Sequence, residues 1–404
     1  MKTTQKIVFH FSLNVIFCFL LSSCIFKSNK IEISGETIEV QESNIKPLLK
    51  VFLENSGSMD GYMCDGSQLK DAVYDYVSEI DRLSDTTSLF FINSKIIPYS
   101  GKLQSYIKDM TPATFHSAGG NTSNTDIGDL IDMVLSTVND TTVSIFISDC
   151  ILDLPAKNAT NFLNNCEITI KQHIIETQKR VPNLGVEILQ LTSKFSGKYF
   201  SPNGKVEQLN DVQRPYYIWI FGAKKYIAKF NQDAPYSQLD KYNLKGVVSF
   251  SNQSPSEYEV KNRNFTSNVI VPNHGDYLAA FKVDLSSTLQ PEGVIIDKSN
   301  YSFVNKSLEV EGIYPIDKKT DTSNFTHIIN IKIPKGTNIA QDRLTFDAPS
   351  NLPLWVSQSN DETGDNINAN LDKTTGIKYL IQGVADAYKN EKILTSFNFN
   401  VKRK

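Results

Sequence analysis

Residues 48–59 read LLKVFLENSGSM. Leu48–Leu53 is an apolar run too short for a helix and long enough for a buried strand. It runs straight into a Gly- and Ser-rich stretch, Asn55 to Gly66, that ends the strand. A helix is expected next, because Leu69, Val73, Tyr76, Val77, Ile80 and Leu83 recur at spacings of three and four. The same alternation continues outward. Ser88–Ile92 and Val143–Ile147 read as buried strands, and Lys95–Pro98 as a short strand beside the first of them. Ile127, Leu130, Ile131, Val134, Leu135 and Val138 form a clear amphipathic helix, and 161–180 reads as another. Val186–Leu191 and Tyr216–Phe221 read as strands, with a last helix from Gly222 to about Phe230. Strand and helix in alternation predict a doubly wound, Rossmann-like α/β sheet over residues 46–232. Within it, the polar residues 192–215 are expected to be a long insertion between two strands.

Ligands of such sheets bind at the carboxyl ends of the strands. Three segments carry oxygen-bearing side chains there. Glu54, Ser56 and Ser58 follow the first strand, Thr125 and Asp126 precede the helix from Ile127, and Ser148-Asp149 follow the strand 143–147. Hydroxyls and carboxylates are hard donors of the kind that magnesium takes, usually keeping several waters as well. The alternative without metal is structural: Ser56 and Ser58 capping a strand-to-helix turn, and Thr125 or Asp126 capping the helix from Ile127. Asp60 and Asp65 read as solvated loop acids, and His116 as a loop histidine bordering the Gly119-Gly120 turn.

This set resembles the von Willebrand factor type A (vWA) domain and its metal-ion-dependent adhesion site. The family pattern is Asp-x-Ser-x-Ser after the first strand, a Thr before a middle helix and an Asp after the fourth strand. Here Glu54-x-Ser56-x-Ser58-Met59 resembles the first element, Thr125 in NTDIGDL the second and Asp149 in SIFISD the third. The resemblance implies a vWA-like fold over 46–232. It also implies a divalent cation, Mg²⁺, held by Glu54, Ser56, Ser58, Thr125 and Asp149, and a protein partner that completes the coordination with an acidic group. Two positions depart from the pattern. Glu54 is one methylene longer than the usual Asp, and Cys150 stands where the family commonly has Gly.

The amino-terminal residues place the chain. Lys2 and Lys6 precede an apolar run, Ile7 to Leu21, and then Leu21-Ser22-Ser23-Cys24. A positive start, a short apolar segment and a small-residue step form an export signal. The junction resembles the lipobox of bacterial lipoproteins, whose cysteine is lipidated and becomes the mature amino terminus. The expectation is a signal peptide over 1–23, a lipid anchor at Cys24, a polar tether over 24–45 and a position on a membrane of the bacterial envelope. Cleavage there removes 23 residues, two of them lysines, and deepens the net charge from -3 to -5. Neither value supports a field that holds phosphate backbones, so nucleic acid is not an expected partner. Of five cysteines, Cys64, Cys150 and Cys166 are then left as thiols, an odd number with no metal-ligand spacing.

From about residue 236 to 404 the pattern changes to short strands joined by Asn-, Ser-, Asp-, Pro- and Gly-rich connections, with one helical stripe at Ile377, Leu380, Ile381, Val384 and Ala387. A β-rich sandwich with one helix is expected. The sequence shows no Gly-x-Ser-x-Gly elbow, Walker loop or HExxH, so no enzyme is expected. The leading functional class is a lipid-anchored binding protein. The alternatives are a metal-assisted hydrolase using the same oxygen cluster, and a metal-free envelope scaffold.

Overall fold

The computed structural model describes residues 29–36, 45–122, 126–155, 157–201 and 204–404; the expected signal segment 1–23, Cys24 and Thr125 lie outside the described residues. Strand β1 (Ile31–Gly35) comes first and belongs to the second of two sheet systems. The first system is mixed α/β and grows around β2 (Leu48–Glu54), whose last four residues are all buried. β2 pairs in parallel with β3 (Thr86–Ile92) on one side and with β5 (Thr142–Ser148) on the other. β4 (Ile96–Tyr99) closes the β3 edge antiparallel. Parallel neighbours need crossovers, and these carry α1 (Gln68–Leu83), the one-turn α2 (Pro112–His116) and α3 (Ile127–Leu135). Every residue of β5 is buried, so both faces of the sheet are covered at its centre. α3 packs on α4 (Ala159–Arg180), while α1 packs with α5 (Lys224–Asp233). The chain leaves β2 for β3 on one side and reaches β5 on the other, which makes the carboxyl ends of β2 and β5 a topological switch point.

Beyond β5 the sheet departs from a doubly wound arrangement. The order is β4-β3-β2-β5-β7-β6-β8, with β6 (Leu184–Phe200), β7 (Val206–Ala223) and β8 (Leu244–Ser251) all antiparallel to their neighbours. Residues 192–215, expected to be an inserted loop, are instead the outer half of the β6–β7 hairpin, which stays paired from Leu184↔Ala223 out to Phe200↔Val206. Its polar composition disguised it. A ribbon beyond the sheet edge has one face in solvent, so only every second residue, Ser193, Phe195 and Tyr199 among them, is buried. The ribbon lies against the turn Asp60–Met63, where a Cβ on Gly197 would come within 2.7 Å of the Gly61 Cα. The backbones touch there because both residues are glycine.

The second system is a sandwich. One sheet has the order β10-β1-β19-β16-β13, built from β10 (Val269–Ile270), β13 (Tyr301–Phe303), β16 (Gln341–Asp347) and β19 (Ile393–Arg403). The other has the order β11-β12-β15-β14, with β9 (Tyr258–Asn262) also on β12. It uses β11 (Pro272–Asn273), β12 (Asp276–Val283), β14 (Glu309–Pro315) and β15 (His327–Ile333). Ile33, Phe281, Ile329, Ile331, Phe397 and Phe399 from both sheets share one core, as the expected sandwich requires.

The boundaries drawn from sequence change in three places. Ile31–Gly35, assigned to the tether, is an interior strand of the sandwich between β10 and β19. β8, assigned to the carboxyl-terminal domain, hydrogen-bonds to β6 and extends the first sheet. The helix expected in the sandwich, α8 (Ile377–Ala387), packs on α4 and joins the first core together with Val356 of α7 (Leu354–Gln358). α6 (Glu292–Ile295) is a single turn beside the sandwich core. In each case an apolar stripe found its partner far away in sequence, which local periodicity does not specify.

The α4–α8 contact depends on close approach at Gly383, where a Cβ would lie 2.5 Å from the Glu167 carbonyl oxygen and 2.9 Å from the Ile170 Cβ. Alanine at an exposed helix position would stabilise by about 1 kcal/mol through helix propensity. At this site overpacking opposes it by ~1–3 kcal/mol, so Gly383→Ala is expected to lower stability overall, as measured by the urea midpoint. An unchanged or raised midpoint would show that the helices are not held at this distance.

Candidate functional site

The register Leu53↔Ile147 places Glu54 beside Ser148 at the carboxyl ends of β2 and β5. The Ser148 hydroxyl donates to Glu54 Oε2, and its oxygen accepts from the Cys150 N–H at 2.7 Å. One turn on, Ser56 Oγ and Ser58 Oγ are 2.9 Å apart. The Ser56 hydroxyl lowers the Glu54 carboxyl pKa, and the Ser58 hydroxyl that of Asp149. Asp149 Oδ1 accepts from the Ile151 N–H at 3.3 Å, while Asp149 Oδ2 is buried with no hydrogen-bond partner among the described residues. Four of the five expected ligands, Glu54, Ser56, Ser58 and Asp149, are therefore brought together. Ser148 is a further oxygen that the sequence reading mentioned only as a neighbour.

The electrostatics follow from burial. Glu54 and Asp149 are both no more than 2% exposed. Burial, and then the charge of Asp149, push the Glu54 carboxyl up to about 8, with the Ser148 and Ser56 hydroxyls pulling the other way. Burial also raises Asp149, against the Ser58 hydroxyl, backbone N–H groups and the Arg214 guanidinium. Two carboxylates in one dry pocket do not both ionise without a positive charge between them. A proton or a metal ion supplies it. The donors fit a hard divalent cation: two acids, hydroxyl oxygens and an orphaned carboxylate oxygen. Among the described residues there is no group of three or more His, Cys, Asp or Glu side chains suited to a metal, so hydroxyls make up the balance of this set.

The loop that leads to Thr125 is clamped beside these serines. Asn55 Nδ2 donates to the Gly119 carbonyl at 3.2 Å, and Asn93 Nδ2 donates to the same carbonyl at 2.8 Å and to Asn55 Oδ1 at 3.0 Å. The Gly57 N–H donates to the Thr122 carbonyl at 3.0 Å. Asp126 has the capping role expected of it, accepting from the N–H groups of Gly128 at 2.8 Å and Asp129 at 3.3 Å. Asp60 is more than a solvated loop acid. It is half-buried, its carboxyl raised by that burial, and its Oδ2 lies 2.9 Å from His116 Nδ1. His116 Nε2 in turn lies 3.5 Å from Thr122 Oγ1, so both residues border the site.

Two features explain the departures from the family pattern or were missed. Cys150 has φ +55°, a left-handed conformation that glycine adopts freely and other residues adopt at about 1–2 kcal/mol. Cys150 holds this conformation with strain that a glycine would not incur. Arg214, inside the supposed insertion, is buried. Its Nη1 donates to the carbonyls of Asn370 at 3.2 Å, Leu371 at 2.9 Å and Lys373 at 2.9 Å, and its guanidinium lies over the Tyr199 ring at 5.2 Å. It ties the ribbon to the loop between β17 (Asn360–Asp361) and β18 (Thr374–Thr375) and projects positive charge toward Asp149. Its partners are carbonyls more than 150 residues away, so no sequence signal marks it.

A cleft of about 1120 Å³ lies elsewhere, at the junction of the two systems, lined by Val247, Phe250, Thr345, Tyr388 and Leu394 among others. It contains none of the oxygen ligands. Compared with protein-family models and with curated proteins, the chain matches none.

Cys64, Cys150 and Cys166 are free thiols. Cys64 is half-exposed, whereas Cys150 is fully buried and its thiol is held protonated by that burial. Excess aromatic disulfide reagent, read by peptide mapping, is expected to modify Cys64 in the native protein and Cys150 only after unfolding. Native-state labelling of Cys150 would mean that the carboxyl end of β5 opens to solvent.

Proposed function

We propose that the chain is a lipid-anchored protein of the bacterial envelope. In this reading the α/β unit is vWA-like, and it captures a protein partner through Mg²⁺ held by Glu54, Ser56, Ser58, Thr125 and Asp149. The observation that carries the proposal is the buried Asp149 Oδ2, which has no hydrogen-bond partner among the described residues, beside a second buried acid, Glu54. Its location at the switch point between β2 and β5 supports it, because ligands of open α/β sheets enter there. When bound, the cation would act as a Lewis acid that accepts a carboxylate oxygen from the partner. The chain's own residues do the rest. Glu54 and Asp149 neutralise the ion, Ser56 and Ser58 orient toward it with neutral oxygens, and Arg214 holds the ribbon beside Asp149.

Isothermal titration of Mg²⁺ into the wild-type chain is expected to show binding that Ser58→Ala with Asp149→Ala abolishes. No heat with the wild type, or undiminished heat with the double variant, removes the metal from the proposal. If alanine at these positions leaves partner capture intact, the metal-free scaffold replaces it. Turnover in a divalent-ion esterase and phosphatase screen, lost in Asp149→Ala, would replace it with the hydrolase.

The two acids also set a pH dependence. A folded-state pKa of about 8 for Glu54 lies above its ordinary value of 4.5. Its contribution is therefore fully present below about 4.5 and is lost as pH rises toward 8, because the unfolded chain ionises first. Without divalent ions, stability is expected to fall by a few kcal/mol across that window. Glu54→Gln is expected to flatten the fall, and saturating Mg²⁺ to reduce it, since the cation replaces the proton. Urea unfolding at pH 5, 6, 7 and 8 measures it, and a wild-type slope equal to that of Glu54→Gln would contradict the assignment.

A further inference from the structure

Lys30 precedes β1, and β1 runs antiparallel to β19 with Ile31 opposite Arg403 and Glu32 opposite Lys402. The Lys404 N–H donates to the Lys30 carbonyl at 2.9 Å. Four exposed cations, Lys30, Lys402, Arg403 and Lys404, therefore meet at one end of the sandwich. The turn after β15 brings the exposed Lys335 to the same end, because the Arg403 guanidinium donates to the Thr337 carbonyl at 3.3 Å. Three acids touch this end, one of them Glu309, which lies 3.6 Å from Lys332. Glu32 pairs with Lys404 at 3.2 Å, and Asp276, which accepts from the Lys335 N–H, lies 3.6 Å from Lys332. The cations remain in excess on a chain whose overall charge is negative. Val271, next to β10 and 57% exposed, adds an apolar side chain.

Lys30 lies six residue steps beyond Cys24. At no more than ~3.6 Å per residue, they reach about 22 Å. The end of the sandwich that gathers the cations is thus the end that a lipid at Cys24 would hold against a membrane. We propose that this basic end of the sandwich rests on an anionic lipid bilayer. The sandwich is then the membrane-proximal module, and the α/β unit is reached only through it. The inference rests on the lipid-anchor reading of Cys24. The lipid at Cys24 would tether the chain to the bilayer, and a basic patch beside it supplies a second contact that orients the protein on the surface. Charge selects an anionic lipid surface as the occupant, because the cations lie where the anchor brings headgroups.

The test uses the full chain purified from membranes and incorporated into vesicles of phosphatidylcholine alone, or with about one third phosphatidylglycerol. Lysines are acetylated with a membrane-impermeant reagent and read by mass spectrometry. Labelling of Lys30, Lys335, Lys402 and Lys404 is expected to fall roughly threefold or more in the anionic vesicles and to recover at about 0.5 M salt, while Lys179 on α4 stays constant. Lys402→Glu with Lys404→Glu is expected to remove the difference at Lys30 and Lys335. Equal labelling in the two membranes, on a protein whose intact mass shows lipid at Cys24, overturns the proposal. An intact mass without lipid overturns the anchor reading instead. Salt-sensitive co-sedimentation of that same chain with anionic vesicles then decides the patch on its own: binding supports it and absence of binding overturns it.

Discussion

The parallel pairing of β2 with β5 is the constraint on which the molecule depends. Both strands are largely apolar on both faces, so they are stable only with helices above and below; α1 and α3 arise in the crossovers that the parallel connection demands, and α4, which follows β5, packs on α3. Their register sets the chemistry as well. Leu53 opposite Ile147 brings Glu54, Ser148 and Asp149 to one point, and the turn after β2 folds Ser56 and Ser58 back over them. Two acids are thereby buried side by side, each raised by burial, and one of their oxygens has no partner among the described residues. A sheet built only for stability would place apolar residues there. Buried acids at strand ends are a liability to folding that a bound cation or a shared proton offsets.

The walls around that point come from distant parts of the chain. The β6–β7 ribbon approaches from one side, seated on Gly61 through Gly197 and on Tyr62 through Phe195, whose rings meet edge to face at 5.0 Å. The loop 360–375 approaches from another, gripped by Arg214 and by the Leu152 N–H, which donates to the Thr375 carbonyl at 3.1 Å. A buried guanidinium needs acceptors, and three carbonyls of the loop accept from its Nη1. The described residues thus contribute a first strand to the sandwich, build the α/β sheet, return to the sandwich and send α8 back to α4. The two systems share one covalent weave rather than being two beads on a string.

Much of this was legible from residues alone where the signal was local. The stripes of α1 and α3 bury the residues their spacing selected, and the strands around 48–53, 88–92 and 143–147 form as expected. Glu54, Ser56, Ser58 and Asp149 could be singled out because each directly follows a strand, and strand ends in a parallel sheet lie on one edge. The ribbon, β1 and α8 were misassigned for a common reason. Thr192–Phe200 looks polar because one face of a ribbon is wet, and Ile31–Gly35 is too short to stand out from a tether. Ile377–Val384 has a helical stripe that says nothing about which surface it will cover.

What the sequence determined by itself is the kind of each element and the donor atoms at the strand ends, since periodicity and side-chain chemistry are carried by neighbouring residues. What only the tertiary structure decided is which edges pair and which charges meet. Ile31 lies opposite Arg403, Arg214 grips the carbonyls of Asn370, Leu371 and Lys373, and Glu54 is buried beside Asp149. Strand hydrogen bonds and burial are satisfied by whatever the fold brings near. Their energies depend on separation in space, and separation along the chain does not encode it.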